Sequence, residues 1–125
     1  MTKPVFDSKN LKPGAHINGV GSYTPDMQEL PEAIFAQAGK IYLDTKDGVL
    51  NESGDLINPL KKGMIQKESI TGELGQLDSG KIAGRQSEDE LTVFKTIGSA
   101  VLDIIVGKAI YEKAMELNKS QVIEL

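Results

Sequence analysis

The sequence predicts an α/β fold, and three features of the chain support that prediction. Short strand-like runs occur at residues 16–20, 40–44 and 91–94. Helical patterns separate these runs and follow the last of them. A turn rich in glycine and hydroxyl residues, Gly19-Val-Gly-Ser-Tyr-Thr24, comes directly after the first run. Because ligands of open α/β sheets bind beyond the carboxyl ends of the strands, this turn is the first place to expect a site.

A helix is predicted directly after this turn. Thr24 fits the N-cap position and Pro25 the first helical position. Pro31 bends or restarts the helix, which then continues over residues 32–38. Gly39 ends it, because glycine commonly terminates helices.

The middle of the chain predicts short helices and a loop before the last strand. A short helix or turn is expected at residues 47–53, another at residues 55–61 with an interruption near Pro59, and a short helix at residues 69–77. The glycine- and charge-rich loop is expected at residues 78–86. Residues 87–90 fit a helix capping box, but the following Thr-Val-Phe favours a strand.

Residues 97–117 predict the longest helix, which is apolar on two sides. A helix with this pattern usually packs between two layers, either sheet and partner domain or two subunits. Residues 122–125 predict a short terminal strand. The only domain division that we expect lies at this helix, between residues 1–96 and residues 97–125.

Composition excludes several classes of function. The net charge of −4 gives no electrostatic case for binding nucleic acid or an anionic membrane surface. The chain has no cysteine and one histidine, His16, so we expect no metal site. Residues 97–114 carry four charged side chains and do not predict a membrane span, and no signal peptide is apparent. We therefore expect a cytoplasmic protein.

Several motifs resemble those of the ornithine cyclodeaminase/mu-crystallin family. They are Gly14-Ala-His-Ile-Asn-Gly-Val-Gly-Ser-Tyr-Thr-Pro-Asp-Met-Gln-Glu-Leu30, Asp55-Leu-Ile, Gly72-Glu-Leu-Gly75, Gly80-Lys81, Gly84-Arg85, Thr92-Val-Phe-Lys-Thr-Ile-Gly98 and Lys108-Ala-Ile-Tyr-Glu-Lys-Ala114, in the family's order. The resemblance implies a Rossmann domain for NAD or NADP joined to a dimerisation domain. It also implies a homodimer acting on a small amino acid or cyclic imine, as an ornithine cyclodeaminase, ketimine reductase or amino-acid dehydrogenase.

The chain lacks the Gly-x-Gly-x-x-Gly/Ala turn that normally holds the cofactor pyrophosphate. In the family that turn lies upstream of the matching blocks. We therefore expect a partial Rossmann-like domain, the second half of the nucleotide-binding sheet, with a long C-terminal helix. On this interpretation the chain is the C-terminal fragment of a family protein or a truncated member, and is inactive alone. The alternative is a non-catalytic half-domain that dimerises or binds a small molecule.

Asp26 is the candidate catalytic acid, since a carboxylate beside the turn could exchange a proton with a bound imine or amino group. The alternative is that it offsets a helix dipole. In ornithine cyclodeaminases the catalytic acid occupies the position that corresponds to Tyr23, and a lysine occupies the position that corresponds to Met27. The resemblance therefore implies imine or amino-acid redox chemistry rather than ornithine cyclisation.

Four residues are candidates for cofactor binding. Asn18, Val20 and Gly21 match the strand end that lines the nicotinamide side of the family's pocket; otherwise they are strand and turn residues. Thr96 matches a family serine or threonine that reaches the nicotinamide, and it also fits the N-cap of the long helix. We expect His16 to be a structural residue.

Three basic residues, Lys81, Arg85 and Lys95, could meet phosphate or carboxylate. Since they are isolated in the sequence, we expect them to solvate loops instead.

Overall fold

A computed structural model describes residues 2–119, 121 and 123 of the chain. Within these residues the structure has a parallel sheet of four strands in the order β1-β4-β2-β3. The strands are β1 (His16–Gly19), β2 (Lys40–Leu43), β3 (Gly72–Glu73) and β4 (Thr92–Lys95). Because β4 pairs with both β1 and β2, the last strand fills the gap between the first two. The predicted α/β fold is confirmed.

Short helices connect the strands and a long helix follows the last one. They are α1 (Ala33–Gln37), α2 (Lys46–Glu52), α3 (Gly54–Lys61), α4 (Leu74–Asp78) and α5 (Ala100–Glu116), with 3-10 turns at Ser8–Asn10 and Lys67–Ser69. Parallel neighbours require such crossover connections. The predicted strands at residues 16–20, 40–44 and 91–94, and the helices at residues 32–38, 47–53 and 55–61, are confirmed. The interruption expected near Pro59 is wrong, because α3 continues through that residue.

The two faces of the sheet have different surroundings. Register places Ile17, Val93 and Ile41 on one face, where the strand residues join the buried core. That core also includes Ile34 and Phe35 of α1 and residues of α2 and α3. The opposite face carries His16, Asn18, Tyr42, Thr92 and Phe94 and lines a cavity of about 460 Å³. One face thus packs against α1, α2 and α3, whereas the other lines a cavity to which Leu74 and Leu77 of α4 and Arg85 also contribute.

Three predictions of local structure are wrong. No helix begins at Thr24, because residues 24–27 form a turn in which Met27 N–H donates to Thr24 O at 3.1 Å. Residues 69–77 are not one helix, because Gly72–Glu73 pair with β2 as strand β3. The long helix begins at Ala100 with Ser99 as its N-cap residue, so Thr96 does not cap it. The strand predicted at residues 122–125 falls largely outside the described residues.

Helix α5 exposes apolar side chains on all sides. Val101, Ile104, Ile105 and Ile110 are each more than half exposed, and none of the helix's described residues is buried. Among the described residues, no helix is both long and apolar enough to cross a membrane.

Candidate functional site

The carboxyl ends of β1, β4 and β2 lie side by side. Gly19 pairs with Lys95, and Lys95 pairs with Leu43. The next residues extend this ladder: Thr96 N–H donates to Gly19 O at 3.0 Å, and Asp44 N–H donates to Lys95 O at 3.2 Å. The sequence therefore places Val20, Thr96 and Asp44 along one edge of the sheet, where parallel α/β folds bind ligands.

Asp44 organises the loop after β4. Its Oδ2 accepts hydrogen bonds from the Thr96 hydroxyl and, at 3.2 Å, from Ile97 N–H. Its Oδ1 accepts from Thr45 N–H at 2.6 Å. The Thr96 oxygen in turn accepts from Gly98 N–H at 2.9 Å. Since its proton is donated to Asp44, the Thr96 hydroxyl can offer a ligand only its remaining lone pair.

The candidate residues at the end of β1 and directly after it lie at the same edge. Asn18 is exposed, and Val20 is 59% exposed although it is apolar. Gly21 N–H donates to Glu29 Oε2 at 2.7 Å, which fixes the backbone of the turn. The structure thus brings Asn18, Val20, Gly21 and Thr96 to the ends of two adjacent strands.

A buried ion pair lies beneath this edge. Lys95 Nζ is 3.7 Å from Asp55 Oδ2, and both side chains are 0% exposed. Lys95 Nζ also donates to Gly19 O at 3.1 Å and to Thr96 O at 2.8 Å. It therefore joins the ends of β1 and β4, and the expectation that Lys95 solvates a loop is wrong. Both residues lie in the family motifs, but nothing local in the sequence indicates that they meet.

Asp55 binds the backbone of the segment that follows the turn at residues 24–27. Its Oδ1 accepts from Glu29 N–H at 2.8 Å and from Leu30 N–H at 3.0 Å. Burial raises the pKa of Asp55, opposed by these two hydrogen bonds and by the charge of Lys95. Burial likewise lowers the pKa of Lys95, opposed chiefly by Asp55.

Close approach explains why Gly19 is glycine. A Cβ there would lie 2.5 Å from Leu30 Cδ1 and 3.1 Å from Lys95 Cδ. Any larger residue would have to displace the Leu30 side chain and would crowd Lys95, so the glycine leaves room for both beneath the site.

Asp26 and Tyr23 are exposed residues of the segment after β1. Since no helix begins at Thr24, the alternative that Asp26 offsets a helix dipole is wrong. Tyr23 is 54% exposed.

The other basic candidates differ from one another. Arg85 donates to the carbonyls of Ala15, Glu88 and Glu90 and to Thr92 Oγ1, so it ties a loop to the sheet instead of solvating it. Lys81 is exposed. His16 contacts Thr92 and Asn18. No group of three His, Cys, Asp or Glu side chains among the described residues could hold a metal ion.

The sequence profile of the ornithine cyclodeaminase/mu-crystallin family matches residues 1–118. The chain belongs to this family. The resemblance given by the sequence motifs is therefore confirmed.

Curated members of the family are similar over nearly the whole chain. A Delta(1)-pyrroline-2-carboxylate reductase of Bacillus cereus is 50% identical over 121 residues, which is 97% of this chain and 37% of that protein. The ketimine reductase mu-crystallin of Mus musculus is 37% identical over 111 residues, 89% of this chain and 32% of that protein. The chain thus spans roughly a third of the length of these ornithine cyclodeaminase/mu-crystallin relatives, and it matches their C-terminal part.

Solved structures of the family have the same fold. The Delta(1)-pyrroline-2-carboxylate reductase of Thermococcus litoralis, in complex with NADH and L-proline, superposes with a TM-score of 0.89 at 38% identity, over 98% of this chain and 38% of that one. An archaeal alanine dehydrogenase dimer with bound NAD gives a TM-score of 0.84 at 32% identity, over 99% of this chain and 38% of that one. These ornithine cyclodeaminase/mu-crystallin structures are Rossmann-like.

Proposed function

We propose that the chain binds the nicotinamide end of NAD or NADP at the edge formed by Asn18, Val20, Gly21 and Thr96. On this proposal it serves the reduction of a small cyclic imine or related amino-acid redox chemistry. The observation that carries the proposal is the meeting of these residues at the ends of two adjacent parallel strands. Relatives named as pyrroline-2-carboxylate reductases support the substrate class.

The residues present fit the nicotinamide end of the cofactor. A carboxamide offers a carbonyl acceptor and two N–H donors, and the Thr96 oxygen retains a lone pair for such a donor. The exposed Val20 side chain offers an apolar surface for the ring. The pyrophosphate has no matching turn, because no Gly-x-Gly-x-x-Gly/Ala occurs in the sequence. The chain therefore holds one end of the cofactor and not the other.

Bound nicotinamide supplies the hydride, and the protein's contribution is to hold and orient the reacting groups. Reducing a C=N bond also requires a proton at nitrogen. The proton comes either from solvent or from the carboxyl group of Asp26, exposed in the turn after β1, when that group is protonated. Tyr23, which matches the cyclodeaminase acid, is a poor base because the unperturbed pKa of a tyrosine is about 10. We therefore favour imine or amino-acid redox chemistry over ornithine cyclisation.

We also propose that the chain functions as a dimer through α5. The exposed apolar side chains of that helix support this, as does the dimer named for the archaeal alanine dehydrogenase. On this proposal residues 1–96 form the cofactor-binding part and residues 97–125 lead to the dimerisation part. The cytoplasmic location stays a prediction.

Segment replacement tests the proposed activity. The chain would replace the 121-residue matching segment of the Bacillus cereus reductase. We expect the graft to oxidise NADH or NADPH with pyrroline-2-carboxylate and to release no ammonia from ornithine. The same graft carrying Thr96→Val should lose most activity, whereas Thr45→Val, at an exposed threonine one residue past Asp44, should not.

Two outcomes would contradict the proposal. A folded graft that releases ammonia and proline from ornithine would show that another residue performs the acid's role. A folded graft that binds neither cofactor would favour the non-catalytic half-domain instead.

A further inference from the structure

We propose that His16 is a positioning residue that fixes the orientation of the Asn18 side chain. A hydrogen-bond relay runs from Arg85 through Thr92 and His16 to Asn18. It directs the Asn18 NH₂ group toward the ligand. The purpose of this orientation rests on the proposed function, whereas the relay itself does not.

The relay has one consistent set of donors and acceptors. Arg85 Nη2 donates to Thr92 Oγ1 at 3.1 Å, because a guanidinium has no acceptor. At the other end His16 Nε2 lies 3.2 Å from Asn18 Oδ1, a carbonyl oxygen that can only accept. His16 Nε2 therefore carries the proton. In a neutral imidazole Nδ1 is then the acceptor, so the Thr92 hydroxyl donates to it across 2.7 Å.

The fold holds the relay in place. Strand register pairs His16 with Thr92, so that the two side chains lie on the same face of the sheet. Thr92 is buried, and the Arg85 guanidinium is fixed by donation to Ala15 O at 3.3 Å and Glu90 O at 2.7 Å. Asn18 lies two residues beyond His16 on the same strand and therefore on the same face.

As a consequence, two adjacent strands offer a ligand hydrogen-bonding groups of opposite kind, donors on one and an acceptor on the other. With Oδ1 engaged by His16, Asn18 presents two N–H donors to a ligand. On the adjacent strand Thr96 presents a lone pair, because its proton is donated to Asp44. The Asn18 donors suit a ligand oxygen, either the carboxamide carbonyl of nicotinamide or the carboxylate of the imine. His16 thus determines whether this position accepts or donates.

The single histidine of the chain makes the relay directly measurable. Long-range ¹H–¹⁵N NMR of the ¹⁵N-labelled full chain, at a pH where the imidazole is neutral, reports which ring nitrogen is protonated. We expect only the Nε2–H tautomer in the wild type. Thr92→Val should shift it to a mixture of tautomers and Thr92→Ser should restore it. Thr45→Val, off the relay, should leave it unchanged.

Asn18→Leu gives a second test that spares the buried threonine, since Asn18 is exposed and its replacement leaves the core intact. It should also produce a mixture, because it removes the acceptor at Nε2. A wild-type mixture of tautomers, a wild-type Nδ1–H form, or spectra unchanged by both Thr92→Val and Asn18→Leu would overturn the relay.

Ligand titration separates the relay from the proposed function. With reduced nicotinamide mononucleotide as the probe, Thr92→Val should weaken binding about three- to tenfold, the effect of one misdirected hydrogen bond. Thr92→Ser should bind like the wild type. If the tautomer results hold and the probe does not bind the wild-type chain, the proposed function fails while the relay stands. Binding that is equal in wild type and Thr92→Val would overturn the positioning role.

Discussion

Lys95 and Asp55 form a fully buried ion pair, in which Lys95 Nζ lies 3.7 Å from Asp55 Oδ2. Lys95 is bound to the carbonyls of Gly19 and Thr96, and Asp55 to the N–H groups of Glu29 and Leu30. Asp55 Oδ2 has no hydrogen-bond partner among the described residues. The pair therefore links both strand ends of the candidate site to the chain after the turn.

Breaking this pair should destabilise the protein strongly. Lys95→Met leaves the Asp55 carboxylate buried and unpaired, at a cost of about 3–5 kcal/mol in the free energy of unfolding. The surface pair of Lys62 and Glu32 provides the control: the Lys62 side chain is 60% exposed, and Lys62→Met should cost less than about 1 kcal/mol. Urea unfolding measures both. The double variant Lys95→Met/Asp55→Leu should lose less than the two single variants summed, and strict additivity would contradict coupling of the pair.

The pair should also shape the pH dependence of stability. The folded-state pKa of Asp55 is raised above its ordinary value of 3.8. Folding therefore favours the protonated Asp55 carboxyl group. The stability that this preference contributes is fully present below pH 3.8 and is lost as the pH rises through the folded-state pKa. Asp55→Asn should remove that loss, so the variant should gain stability relative to wild type as the pH rises from 4 to 7. Parallel pH profiles from denaturant unfolding would show that Asp55 does not titrate as described.

The sequence predicted the strands and short helices because their patterns are local. Residues 16–20 and 40–44 alternate apolar and polar side chains, and the Thr-Val-Phe of β4 consists of residue types that are enriched in strands. The helix expected at Thr24 failed because distant groups bind that backbone. Asp55 accepts from Glu29 and Leu30, and Gly54 N–H donates to Thr24 O at 3.1 Å. The local pattern of residues 24–30 gives no information about hydrogen-bond partners that lie far away in the chain.

The sequence predicted where the candidate site residues lie, but not which residues contact them. Asn18, Val20, Gly21 and Thr96 were expected at the strand ends, where the structure places them. The partner of Thr96, Asp44, is 52 residues away in the chain and was not predicted. The burial of Lys95 was missed for the same reason, since Asp55 lies 40 residues earlier.

Helix α5 should drive self-association of the chain at micromolar concentration. Ile104 is 70% exposed, and burying such a side chain is worth about 1.5–3 kcal/mol. Ile104→Glu should therefore weaken association at least tenfold by analytical ultracentrifugation. Lys108→Gln, on the same helix, should have little effect. A compact wild-type monomer would refute the proposed role of α5.

The chain alone should bind NADH and NADPH weakly. It lacks the pyrophosphate turn, which normally donates backbone N–H groups at a helix N-terminus to the anion. Calorimetric titration should show no low-micromolar binding of either cofactor. Binding at that strength would mean that other residues of this chain hold the pyrophosphate.

The proposed function depends above all on recognition of the nicotinamide end of the cofactor by this strand edge. The most direct test is a titration of the ¹⁵N-labelled chain with reduced nicotinamide mononucleotide and, separately, with AMP, followed by amide NMR signals. We predict that the nicotinamide compound shifts the signals of residues 18–21 and 96–98, and that AMP leaves them unchanged. Shifts caused equally by AMP, or nicotinamide-induced shifts confined to other residues, would contradict the claim.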